Sequence, residues 1–337
     1  MNSLHNSIVN YLNPANTAAR RIAYAVNAPH VQVLSPPVSW DWNVAAAGQI
    51  TLDQFTFCDS MPQDATAKVY VAGTGSFSNG YSSFLQLINL KNFPVPSIVT
   101  QSIADNVSPQ TQGPATKGWA QVTNQAGQLE WKRVWNVSQS PQAWLASVDQ
   151  NPNNEPVELV FNDPGLSIYT QGGAVSPTPG SAMKITSKAI GRIQVSPDSW
   201  YNSAIVTIAE SSQDYFIVNP SVVFGGTGLI NCRISEFIVA LKPEPSVTVD
   251  NSFISQQRIN QGSLTGISLG GFAFTNQSPL TSSNEKVIGN VNFSLSPADT
   301  MRTVINGKIN GAESDNIFII AVILETNAIS VTNSPTQ

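Results

Sequence analysis

From residue 30 onward apolar and polar residues alternate, and two is the period at which side chains leave opposite faces of a β-strand. The cleanest stretch covers residues 286–296. Val287, Gly289, Val291, Phe293 and Leu295 share one face, with Asn290, Asn292 and Ser294 on the other. Residues 184–195 repeat the pattern: Ile185, Ala189, Ile193 and Val195 fall together, with Lys184, Thr186 and Lys188 outward. Two segments, 236–241 (EFIVAL) and 317–324 (IFIIAVIL), are continuous apolar runs. Such runs belong to central strands covered on both faces.

Further strands are predicted over 40–44, 49–57, 67–72, 83–90, 96–103, 118–124, 128–137, 156–161, 203–209, 214–224, 231–241, 301–309 and 316–325. Between them lie turn clusters at 73–80, 151–156, 172–181 and 242–245, rich in Gly, Pro, Asn and Ser. Helical spacing is confined to residues 3–27. Leu4, Ile8, Tyr11 and Leu12 share a face behind Ser3 as N-cap, Asn13-Pro14 interrupts, and Ala15, Ala18, Ala19, Ile22 and Val26 resume the spacing. This arm packs under a sheet, or docks on a neighbouring subunit or a membrane surface. With no helix between strands, the expectation is an all-β chain of antiparallel sheets in a sandwich or barrel. Roughly 16 to 20 strands exceed one eight-stranded jelly roll, so either two fused jelly rolls or one with long extensions is expected. The expected organisation is a helical arm at 1–30, a first β-sandwich region at 31–150 and a second at 151–337. The polar, Pro/Asn-rich stretch 149–156 is the candidate linker.

Charge is scarce. Asp, Glu, Lys and Arg make up 11% of 337 residues, against about 25% in an ordinary soluble domain. Asn, Gln, Ser and Thr do the solvating. Uncharged polar groups are less costly to dehydrate than ions, so such a surface can be buried against another copy. The net charge is −5 and the basic residues are scattered, with no run beyond Arg20-Arg21 and Lys132-Arg133. Strong direct nucleic-acid binding through a charged arm is therefore not expected. The longest apolar run, 317–324, is far below the roughly 20 residues of a membrane-spanning helix. The first residues carry neither a basic segment nor a long apolar one, so a secretory leader is not expected. Two cysteines, Cys58 and Cys232, read as buried free thiols ahead of a disulfide.

Catalytic motifs fail on context. Gly266-Ile-Ser268-Leu-Gly270 matches the nucleophile-elbow pattern, yet no His follows residue 30 and the segment continues as a strand. Ser181-Ala-Met-Lys184, Ser283-Asn-Glu-Lys286 and Ser314-Asp-Asn316 match fragments of β-lactamase motifs, without Lys-Thr-Gly or an α/β core. The glycines at 73–80 and 225–228 lack the Lys-Ser/Thr of a phosphate-binding loop. With only His5 and His30, a histidine relay is improbable, and no metal site can be assembled. No catalytic, cofactor-binding or metal-ligating residue is assigned, no cofactor is expected, and the chain is not expected to be an enzyme. Trp40-Asp41-Trp42 would place two indoles on one strand face. They read as core, with sugar stacking as the alternative; Trp131 and Trp135 likewise share a face of a candidate strand and read as core or interface.

The amphipathic arm at 4–26, the Pro-rich lead-in Leu34-Ser-Pro-Pro-Val-Ser-Trp40, the many antiparallel strands with long Asn/Ser/Pro loops and the sparse charge together resemble the jelly-roll capsid proteins of non-enveloped icosahedral viruses and phages. The resemblance is one of style over most of the chain. Within it, picornavirus-like coats have one jelly roll and are cut from a polyprotein, commonly after Gln, as at Gln337; membrane-containing phages use two fused jelly rolls behind a lipid-facing helix. The resemblance implies a structural capsid subunit that self-assembles, found in the virion after assembly in the host cytoplasm. It implies contacts with copies of itself and other capsid proteins, and with a host receptor or an internal membrane through the N-terminal arm. A sugar-binding or pore-forming β-protein, a lectin or toxin, is the rival expectation. A glycoside hydrolase would need two carboxylates about 5 to 9.5 Å apart.

Overall fold

The computed structural model describes residues 3–12, 30–40, 52–87, 97–105, 118–123, 126–151, 155–162, 165–177, 181–211, 221–224, 228–277 and 287–326. Strands make up 48% and helices 24%, so the chain is mostly β, in several sheets.

In chain order the strands are β1 His30–Ser39, β2 Ser60–Pro62, β3 Val69–Tyr70, β4 Ala72–Ser76, β5 Trp119–Thr123, β6 Leu129–Arg133, β7 Trp135–Val137, β8 Val157–Phe161, β9 Ser167–Thr170 and β10 Gly173–Val175. They continue with β11 Ala182–Ser187, β12 Ala189–Pro197, β13 Cys232–Leu241, β14 Glu244–Asp250, β15 Leu264–Leu269, β16 Phe272–Thr275, β17 Val291–Pro297, β18 Arg302–Ile309 and β19 Ile317–Thr326. The helices are α1 Leu4–Leu12, α2 Leu52–Asp59, α3 Phe77–Gln86, α4 Ser97–Asp105, α5 Pro141–Asp149, α6 Ser203–Ser211, α7 Ser221–Phe224 and α8 Asn251–Gln256.

A six-stranded sheet in the order β3-β1-β19-β13-β12-β7 lies at the centre of the molecule. A five-stranded sheet, β17-β18-β14-β11-β8, and a four-stranded sheet, β10-β9-β15-β16, pack on one side of it. Helices and aromatic side chains cover the other side. The two apolar runs are β13 and β19, paired at the middle of the central sheet and buried on both faces. Phe237, Val239 and Leu241 point to the helix side, while Ile238 and Ala240 point to the sheet side. In β19 the alternation slips at Ile320 and Ala321, which both face the sheet side, where a register shift between Ile238 and Val239 inserts an extra residue opposite.

Three strands of the five-stranded sheet connect to strands of the central sheet around one corner: β11 to β12 at Lys188, β14 to β13 at Lys242, and β18 to β19 before Ile317. Backbone bonds stitch the corner. Lys188 N–H donates to Leu241 O at 3.0 Å and Lys242 N–H to Asn316 O at 2.8 Å. Residues 184–195 are therefore not the single strand expected. Ile185 faces the sheet-side core, whereas Ala189, Ile193 and Val195 face the helix-side core, because crossing the corner swaps which layer a given parity meets. Val291, Phe293 and Leu295 face inward as expected, with Asn292 exposed. Before them the parity flips: Ile288, not Val287, is buried, across the positive φ of Asn290.

Helices interrupt the strands more than the alternation suggests. Residues 52–59, 77–86, 97–105 and 203–211, expected as strands or, at 73–80, as a turn, are α2, α3, α4 and α6. Each supplies the helix-side core: Phe77, Tyr81 and Phe84 of α3, Val99 of α4, Ile205 and Val206 of α6. β1 and β3 pair in parallel, and Phe274 and Ile288 form an isolated parallel bridge. Within 3–27 the described helix is α1, and the rest of that stretch lies outside the described residues, as do 40–44 beyond Trp40, Arg20-Arg21 and 214–220. The central sheet takes β1, β3 and β7 from one side of residues 149–156 and β12, β13 and β19 from the other.

Helix α1 lies on the molecule's own sheet. Leu4 and Ile8 are buried in the sheet-side core, His5 Nε2 donates to Val31 O at 2.9 Å, and the Ser7 hydroxyl donates to Val160 O. No helix among the described residues is long and apolar enough to cross a membrane.

Candidate functional site

A groove of about 480 Å³ opens where α2, β4, the start of α3 and the β5–β6 ribbon meet. Its floor is the glycine-rich segment expected as a turn. Gly73, Thr74, Gly75 and Ser76 belong to β4, paired with β2, and Ser76 then caps α3, its hydroxyl accepting from Asn79 N–H at 3.3 Å. A Cβ on Gly75 would meet nothing within 4 Å, so this backbone is open to the groove.

One side is set by Asp59, the last residue of α2. Its carboxylate accepts from Ser78 N–H at 2.8 Å and from the Ser78 hydroxyl at 2.6 Å. A carboxylate at the positive end of a helix is favourable, and here it occupies an amide that would otherwise be available to an anion.

The opposite side is the β5–β6 ribbon. Trp119 lies opposite Arg133 and Gln121 opposite Trp131, so the four side chains share one face. Arg133 is buried. Its Nη1 donates to Ser78 O at 2.7 Å and its Nη2 to the Ser82 hydroxyl. Its guanidinium carbon stands 4.9 Å from the centroid of Trp119 and 5.2 Å from that of Trp200. Burial pulls its pKa down to about 10, against the raising influence of Asp59 and Tyr81. Lys132, the neighbouring cation, is paired with Glu130 at 3.2 Å. Trp131 is half-buried and has no ring partner among the described residues.

The aromatic pairs singled out in the sequence fare differently. Trp40 is fully buried, 6.0 Å from Trp144, so it is core and not a stacking platform; Trp42 lies outside the described residues. Trp131 and Trp135 do not share a strand face. The ribbon ends at Arg133 and β7 begins at Trp135, which is buried between Phe77 and Trp200. Ser268 sits inside the β15–β16 hairpin, with no helix after it. Lys184 is paired with Glu158 at 2.5 Å, Ser314 and Asp315 lie exposed in a short 3-10 turn with Asn316 buried after it, and Ser283 and Lys286 lie outside the described residues. His5 and His30 lie at α1 and the start of β1, away from the groove. Cys58 and Cys232 are buried and unpaired. Burial pushes the Cys232 thiol up to about 12 and the Cys58 thiol higher still.

No protein-family model, curated protein or solved structure matches this chain.

Proposed function

We propose that the chain is a structural subunit of a virus shell, assembling through repeated contacts with its own copies and with other capsid proteins. The observation carrying this is how little charge the chain has, 11% of its residues, part of it paired on the described surface. Lys132, Lys184, Lys188, Arg192, Arg233 and Arg302 each hold an ion pair with a neighbouring carboxylate. Charge that is already scarce in the sequence is partly neutralised locally, with Lys68, Lys242, Arg258 and Lys308 outside these pairs, and the exterior between the ions carries Asn, Gln, Ser, Thr and scattered apolar residues such as Met301, Leu129 and Val222. Burying such a surface against a sister molecule strands few ions.

The jelly-roll assignment belongs to the same proposal. It is supported by β1 lying beside β19, with β13 and β12 next, so that neighbouring strands of the central sheet are joined by long connections, as in a sandwich and not a simple meander. One sheet stack takes strands from both halves, which favours a single elaborated sandwich over two fused ones. Residues 4–12 lie against the chain's own β1 and β8, so contact of the arm with a membrane or neighbour is proposed for the residues after Leu12. Without a basic cluster, genome contact would not be chiefly electrostatic. The test is hydrodynamic: purified protein should sediment as rings or closed particles visible by negative-stain microscopy. A monodisperse monomer at all concentrations and salt conditions would overturn the proposal.

A further inference from the structure

We propose that the groove between β4 and the β5–β6 ribbon binds a neutral glycan, with Trp131 as its stacking platform. This goes beyond the shell assignment and does not rest on it.

The walls select the ligand chemistry. An anion needs a free cation or free amides, and the cations of the described groove and its Ser78 and Asn79 amides are already engaged. The Arg133 guanidinium is held by Ser78 O, the Ser82 hydroxyl and two indoles, Lys132 is held by Glu130, and the first turn of α3 is capped by Ser76 and Asp59. The Asp59 carboxylate adds negative charge of its own. A cation is disfavoured by the buried guanidinium close by. A wholly apolar ligand would leave the remaining hydrogen-bonding capacity of Asp59, Thr74 and Asn79 in the lining without partners. What remains is a neutral molecule with many hydroxyls and one apolar face, and a pyranose has that form. Trp131 supplies a ring unclaimed by any described side chain; amphipathic aromatics of this kind give rigid contact at low entropy cost. Asp59 uses one lone pair of each oxygen on Ser78 and keeps others to accept from sugar hydroxyls. The exposed Asn79 amide adds both a donor and an acceptor. About 480 Å³ suits one or two sugar rings.

The ribbon also explains why the platform is rigid. Trp131 is carried on a strand whose other end is locked to α3 through Arg133, so the ring is positioned by the core and not by a loop.

The test is an array of neutral and sialylated oligosaccharides probed with the intact protein, followed by saturation-transfer NMR with methyl glucoside, methyl galactoside and N-acetylglucosamine. Binding to one or more neutral sugars is expected, surviving roughly 1 M NaCl because no ion pair is made. Trp131→Ala should weaken it about tenfold, Trp131→Phe less, and Asn79→Ala should weaken it with the urea midpoint unchanged. Absence of any neutral-sugar binding, binding confined to sialylated glycans and lost in salt, or a neutral-sugar affinity that Trp131→Ala leaves within about twofold would each overturn the proposal. Assembly state is read separately, so loss of particles would not be mistaken for loss of the sugar site.

Discussion

Arg133 donates through Nη1 to the carbonyl oxygen of Ser78 at 2.7 Å, which ties the β5–β6 ribbon to the first turn of α3. The same guanidinium reaches the Ser82 hydroxyl one turn along and lies between Trp119 and Trp200. Only a planar fork spans two acceptors while filling the space between two rings. Arg133→Met should therefore cost about 2–4 kcal/mol, from orphaned acceptors and lost cation–π contact. Arg133→Lys should recover less than half of that. Urea unfolding followed by tryptophan fluorescence checks both, and a lysine variant as stable as the parent would contradict the role given to the fork.

Gly80 lies inside α3, where alanine normally stabilises a helix by about 1 kcal/mol. Here the sign should reverse. A Cβ at this position would fall inside the van der Waals sphere of the Leu229 carbonyl oxygen, which is backbone and cannot swing aside. Gly80→Ala is expected to destabilise by roughly 1–3 kcal/mol. A raised urea midpoint would show that α3 and the segment before β13 are not in this contact.

Much of the sheet architecture was legible because its signal is local. The runs 237–241 and 317–324 carry apolar residues at every position, and only a strand with two covered faces uses them so. The helices were hidden for the opposite reason. Residues 205–208 (IVTI) are all β-branched, which is the composition of a strand, yet Ile205 and Val206 turn into the aromatic core as adjacent positions of α6. Tertiary burial outweighed propensity there. At 73–80 the glycines looked like a turn, whereas Gly80 is present because Leu229 passes close by, a reason no local pattern carries. The groove was missed because Asp59, Asn79 and Trp131 come from three separated segments. The legible clue was the hairpin register, in which Trp119 and Trp131 fall on one face once Trp119 is set opposite Arg133. The corner at Lys188 escaped too, since a strand that changes layers keeps its alternation while changing the core it faces.

Alkaline pH should weaken the fold. Burial holds the Tyr70 hydroxyl and the Cys232 thiol at about 12, above their ordinary values of 10.0 and 9.0. In both cases the folded state keeps a proton that the unfolded chain gives up. The resulting stability is fully present below about pH 9 and is lost as pH rises toward 12, each group adding up to about 1.4 kcal/mol per pH unit to the fall. Urea midpoints measured from pH 8 to 11 should decline, and Cys232→Ala should flatten the early part of that decline. A flat profile in the parent protein would contradict the burial of these groups.

Ile8 of α1 is 1% exposed, in the core that also holds Leu159 and Phe161. Ile8→Ala should therefore cost about 2–4 kcal/mol in the isolated subunit. If α1 instead docked on a neighbouring molecule, subunit stability would not change and only the assembly midpoint would shift. Unfolding and sedimentation run on the same variant separate the two.

The account depends most on the claim that a surface so poor in charge is made to be buried against copies of itself. Sedimentation velocity across a range of protein concentration and salt, read beside negative-stain micrographs of the same samples, addresses it directly. Discrete large species of uniform size, persisting or growing at high salt, are predicted. A single sharp boundary at the mass of one chain under every condition would contradict the claim.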